Sequence, residues 1–191
     1  MKTAQKSIVC LLLLVIALSS VNAAVTWEPY LGFSKGEAKI DGEKIPFFEL
    51  SLGTPLGSRT TIETFLLAQP LSDFPHFSCT ANITDTDNAF ALMTGIKTSL
   101  TLFKDATFNP MVQASLGQMI IGNLEPTANY PELSYYFYSS IATGFALNFF
   151  ESFKILILSG YRFAPHDQVI GLESNALSSK FCSISFRADL D

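Results

Sequence analysis

Cysteine, histidine and tryptophan are almost missing from this chain: 191 residues hold 3 Cys, 2 His and 1 Trp. With only His76 and His166, and no Cys-x-x-Cys spacing, there is no ligand set for a zinc or other transition-metal site. No cofactor motif is present either, so neither metal nor cofactor is expected. Charge is scarce at 15%, against about a quarter in ordinary soluble domains. Basic residues are the scarcer kind. Setting Lys2 and Lys6 aside leaves 10 basic against 17 acidic residues. That balance excludes nucleic acid as a partner, which needs a basic face. Beyond residue 23 no apolar run approaches the ~20 residues of a membrane helix. Yet 48% of the chain is apolar and its mean hydropathy is +0.31. A greasy chain without a spanning helix is either an unusually apolar soluble fold or a set of lipid-facing strands.

The first residues read as a processing signal. Lys2 and Lys6 open it, Ile8 to Leu18 is its apolar segment, and Val21-Asn22-Ala23 offers small residues for cleavage after Ala23. The apolar segment is too short to span a bilayer. The expected organisation is a cleaved signal peptide at 1–23 and one exported domain at 24–191. Two cysteines, Cys79 and Cys182, survive cleavage, and an exported chain with two is compatible with one disulfide.

What the exported part has in abundance is alternation. In Ala89 to Leu102, Phe90, Leu92, Ile96, Leu100 and Leu102 fall on one side, and Ala91, Gly95, Lys97, Ser99 and Thr101 on the other. This period of two marks a strand with one apolar face. The same pattern predicts eight strands. They run from about Trp27 to Ala38, Phe47 to Gly53, Arg59 to Gln69, Ala89 to Leu102, Pro110 to Gly122, Leu133 to Leu147, Phe153 to Phe163 and Ser178 to Leu190. Asp41-Gly42, Thr54 to Gly57, Lys104 to Asn109 and Asn148 to Ser152 read as short turns, and Pro70 to Asn88, Asn123 to Glu132 and Ala164 to Leu177 as long loops. Lipid tolerates only structures whose backbone groups are all paired, so spanning strands must close into a barrel. The expected fold is all-β: an eight-stranded, up-and-down antiparallel transmembrane β-barrel. The short turns after strands two, four and six face the periplasm and the long loops the outside, with the short Asp41-Gly42 connection the exception on the outer side.

Parity then places Glu49, Glu63, Lys97, Arg162 and Arg187 on inward faces that are otherwise mostly Gly, Ala, Ser and Thr. Isolated buried charge is very costly, so these five are expected to form one carboxylate–cation network plugging the lumen. A gate or narrow conductance is the functional alternative. Tyr135, Tyr136, Phe137 and Tyr138 are expected in the aromatic girdle at the membrane interface.

Phe153 to Phe163, ending Gly160-Tyr161-Arg162-Phe163, resembles the penultimate strand of small outer-membrane barrels of the OmpA-type, OmpX and opacity-protein family. Trp27 to Gly36 resembles their opening strand and Ser183 to Leu190 their last. The chain ends Ala188-Asp189-Leu190-Asp191 where the family carries a terminal aromatic. The resemblance implies residence in the outer membrane among lipid and lipopolysaccharide. It also implies a surface-exposed structural, adhesion or host-interaction role carried by the three long loops.

Two other readings of function stand beside it. His76-Phe77-Ser78, with Asp73, Asp85 and Asp87 nearby, is similar to the His and Ser pair of the PagL type of lipid A deacylase, which implies a lipid A-modifying enzyme. A secreted lipocalin-like binder is also an eight-stranded barrel, with its apolar faces turned inward. Cys79 lies in the first long loop. A Cys79–Cys182 bridge would tie that loop over the barrel mouth; otherwise Cys182 faces lipid unpaired. Asn82-Ile83-Thr84 forms a glycosylation sequon in the same loop.

Overall fold

The computed structural model describes residues 28–72, 88–103, 106–123, 133–150 and 152–190. Eight strands follow one another: β1 Tyr30–Ile40, β2 Glu43–Pro55, β3 Thr60–Pro70, β4 Ala89–Thr101, β5 Phe108–Asn123, β6 Leu133–Phe150, β7 Phe153–Phe163 and β8 Lys180–Asp189. Each pairs antiparallel with the next, and β8 pairs with β1, so the sheet closes into an up-and-down barrel. Closure leaves no edge strand with unpaired backbone groups. The signal segment and Trp27 lie outside the described residues.

Local chemistry explains the elements. Asp41 and Gly42 adopt φ of 49° and 92°, the two left-handed positions of a tight hairpin turn, which Asp-Gly suits. Pairing resumes at once, so β2 starts at Glu43 rather than at Phe47. β6 runs past Leu147 to Phe150, with a register shift between Asn148 and Phe150 before the tight return to β7. Alternation is clearest in β1, buried at every odd step and exposed at every even one. Outward positions carry the large apolar side chains: Leu50 is 53% exposed and Ile96 52%, in company with Leu31, Phe33, Leu52, Leu66, Ile157 and Ile184.

The inside has two layers. The end bearing the β1–β2 hairpin and the long connections, here the upper end, is filled by Ile40, Ile45, Phe47, Phe65, Leu67, Met93, Met119, Ile121 and Tyr138. Below them lies a polar layer, flanked on β5, β6 and β7 by a smaller apolar cluster of Met111, Ala142, Ala146, Leu156 and Leu158. A row of pairings climbs the wall from Tyr30 through Gly53, Glu63, Lys97, Ser115 and Ser140 to Arg162. Tyr30 opens β1 at the lower end, whereas Arg162 sits at the upper end of β7. Residues of equal parity therefore stand at different heights.

Candidate functional site

The lower layer holds four of the five predicted charges. Lys97 Nζ lies 2.5 Å from Glu49 Oε1 and 3.4 Å from Glu63 Oε2. Arg187 Nη2 donates to the other oxygen of Glu63. Two cations thus meet two carboxylates and the cluster is neutral. Ser34 Oγ donates to Glu49 at 3.1 Å and shares a 2.7 Å bond with Ser185. Ser99 Oγ accepts from Arg187 at 3.4 Å and from Gln113 at 3.0 Å. Aromatic faces complete the shell: Lys97 lies 5.5 Å from the ring centre of Phe65, and Arg187 5.0 Å from that of Tyr30. Desolvating these charges is expensive, and only this degree of pairing offsets the cost. Glu63 is the hub, because it alone contacts both cations.

Arg162 does not join them, which corrects the expectation of one five-membered network. It is 1% exposed and stands in the upper layer. Its Nε donates to Ser179 Oγ at 3.1 Å, Nη1 approaches Met93 Sδ at 3.6 Å, and the guanidinium lies 5.5 Å from the ring centre of Phe47. Its Nη2 has no hydrogen-bond partner among the described residues. Parity gave its side correctly; the climb of the registers put it one layer too high for Glu63. Between the layers is a cavity of about 20 Å³ bordered by Glu49, Lys97, Ser140 and Arg162, room for about one water.

The upper mouth is closed by the β7–β8 connection, which was expected to be a free loop and folds inward instead. Val169, Ile170, Leu172 and Leu177 are buried in the upper layer. Val169 and Leu172 exchange backbone bonds around a tight turn. There Ile170 takes φ 46°, a left-handed value that a β-branched residue rarely adopts, and its side chain is buried in the lumen. His166 anchors the cap. Its Nδ1 is 2.7 Å from the Asp167 carbonyl, to which it donates, leaving Nε2 to accept the Leu177 N–H at 3.3 Å. Tyr136 meets the His166 ring edge-on at 5.8 Å. Burial pushes the His166 imidazole below its ordinary value, and Asp167 and Asp41 only partly oppose this.

Tyr136 and Tyr138 therefore do not belong to the outer girdle. Tyr138 is buried against Phe65 at 5.9 Å between ring centres, while Tyr135 and Phe137 do face outward. Cys182 also faces outward, unbridged among the described residues, with its Sγ 3.5 Å from Ser159 Oγ. Cys79, His76, Ser78 and the Asn82 sequon lie outside the described residues, as do 73–87 and 124–132 of the other two long connections. Sequence reasoning missed Tyr30, Phe47 and Phe65 as partners of the buried cations, and His166 as the cap anchor. The inward parity of the three aromatics, shared with neighbouring charges, was the available signal.

No family model and no curated protein matches the chain. Solved structures do. The N-terminal β-barrel domain of Pseudomonas aeruginosa OprF superposes with a TM-score of 0.57 at 10% identity, over 86% of this chain and 100% of that one. Neisserial surface protein A gives 0.57 at 12%, over 86% and 97%. The outer membrane protein OprG from Pseudomonas aeruginosa gives 0.55 at 10%, over 87% and 97%. The chain has the fold of these small eight-stranded outer-membrane barrels.

Proposed function

We propose that this chain is an exported outer-membrane barrel with a closed lumen and no enzymatic activity. It acts at the cell surface as a structural, adhesion or host-interaction protein through the connections at its upper end. The observation that carries this reading is the pairing of an outward belt of large apolar side chains with an ion-paired interior. Soluble monomers rarely expose apolar patches beyond a few hundred Å². A secreted ligand-binding barrel would turn its apolar faces inward and leave a cavity, whereas this lumen is filled. Lipid as the surrounding medium makes the belt favourable, and the strands of the wall pair in a closed ring as that medium demands.

Membrane fractionation with a gel of heated and unheated samples tests the placement. The expected result is recovery in the outer-membrane fraction with a heat-dependent shift in mobility; a protein soluble without detergent overturns it. For the surface role, deleting the β3–β4 connection should lower host-cell binding while the heat-dependent shift persists. Unchanged binding after deletion counts against that role. The lipid A-modifying reading is tested by mass spectrometry of lipid A from expressing cells. An unchanged acyl pattern is expected.

A further inference from the structure

The apolar belt is interrupted on one side. At the upper part of β1, β2 and β8 the outward positions carry Lys35, Glu37, Lys39, Lys44 and Lys180, all exposed. Lys39 opposes Lys44 directly. On the other flank of β1, Ala38 opposes Phe181, which brings Lys180, the next residue, beside Lys39. Three ammonium groups thus stand in a row across three neighbouring strands. Like charges directly opposite are destabilising. Among the described residues Glu37, 3.8 Å from Lys44, and the exposed Asp41 and Glu43 of the same hairpin offset part of this charge, and with Lys35 the four lysines outnumber these three carboxylates by one.

Beneath it the outer wall is hollow. A groove of about 1020 Å³ follows one line of pairings from Lys35 through Ile184, Ile157 and Phe145 to Pro110. Its lining is predominantly apolar. Gly144 forms part of the wall, where a Cβ would sit 1.9 Å from the Ile157 carbonyl oxygen, so glycine is what lets β6 and β7 approach this closely. This volume lies at the top of the range of small-molecule pockets, roughly 300–1,000 Å³, and its upper end opens at Lys35. A ligand matching both features has an anionic head, which meets the lysines, and a long apolar tail.

We propose that Lys39, Lys44 and Lys180, with Lys35 at the mouth of the groove, hold the phosphate head of a phosphorylated membrane lipid whose acyl chain lies in the groove. The assignment rests on the outer-membrane reading above. It places the phosphates at the upper edge of the belt, where basic side chains meet an anionic leaflet surface.

The test is a lipid titration of the refolded mature chain in neutral-detergent micelles, followed by native mass spectrometry. The probes are diphosphorylated lipid A, the same lipid with its phosphates removed, and inorganic pyrophosphate. Each lysine near an anionic headgroup contributes about a factor of five. The dephosphorylated lipid should therefore bind roughly ten- to a hundredfold more weakly. The K39Q/K44Q/K180Q triple variant should lose a similar factor for the phosphorylated lipid while keeping its heat-dependent gel shift. Ile157→Trp, which fills the groove, should weaken lipid binding and leave pyrophosphate binding unchanged. Equal binding of the two lipids, or wild-type affinity in the triple variant, overturns the site. Full lipid affinity in Ile157→Trp overturns the groove. A chain that is soluble without detergent overturns both this site and the membrane reading; a folded barrel indifferent to the lysines overturns only the site.

Discussion

The two halves of the lumen solve the same problem with opposite chemistry. The lower half is closed mainly by two carboxylates and two cations in mutual contact, with serines and aromatic faces completing the shell and a small apolar cluster around Met111 and Leu156 beside it. The upper half is closed by Phe, Leu, Ile and Met side chains under an inward-folded cap. A charge behaves differently in each. Arg187 has a carboxylate; Arg162 has a serine, a thioether and a ring. The lesson is that a buried cation is locked in by its partner in one half and merely accommodated in the other. Breaking a buried pair leaves a naked charge, whereas replacing a poorly paired charge with an apolar group of similar size removes a desolvation cost.

The largest effect should come from Glu63→Ala, which strands both Lys97 and Arg187. A loss of about 3–5 kcal/mol is expected, read by urea unfolding in micelles; a loss near zero would erase the distinction between the halves. Leu172→Ala empties part of the apolar layer and should cost toward the lower end of about 2–5 kcal/mol. Its signature is faster proteolysis of the β7–β8 connection while the wall remains intact. Arg162→Met sharpens the comparison most. It should be neutral or stabilise by about 1 kcal/mol, while Arg187→Met destabilises by about 3–5 kcal/mol; equal losses at the two sites would show Arg162 to be as firmly paired as Arg187. The smallest effect is on pH. Neutral His166 accepts the Leu177 N–H, and burial lowers its proton affinity in the docked cap. The undocked ring, at its ordinary value of 6.5, takes up protons first. Docking is therefore complete above about pH 6.5 and weakens as pH falls through that value toward the lowered one. The protection factor of the Leu177 amide, with exchange corrected for its intrinsic pH dependence and followed from about pH 8 to pH 5, should fall in wild type and stay flat in His166→Phe.

Alternation alone located the wall. β7 occupies Phe153–Phe163 as its pattern predicts, and the parity of β2, β5 and β8 places their side chains on the sides expected. Pairing within the lumen was not legible, because height depends on register, and register is a property of two strands together. Glu63 opposes Lys97 directly, yet nothing in either strand alone states that. The apolar upper layer was hidden for a different reason. Treating every apolar residue as outward makes the Arg59 to Gln69 run look mixed, since Phe65 and Leu67 point in and Leu66 points out. Tyr136 and Tyr138 were displaced by the same habit. The cap was concealed by its Gly, Pro and Asp content, although Val169, Ile170, Leu172 and Leu177 were an apolar cluster that a solvent-exposed loop does not need.

The central claim is that the lumen carries two closures in series, so that loosening the charged one leaves the apolar one shut. Planar-bilayer recording of refolded wild type and Glu49→Ala tests it most directly. Silence from both is the expected result, because Phe47, Leu67, Met93 and the docked cap still fill the upper half. Stepwise currents from Glu49→Ala would contradict it and make the charged layer itself the gate.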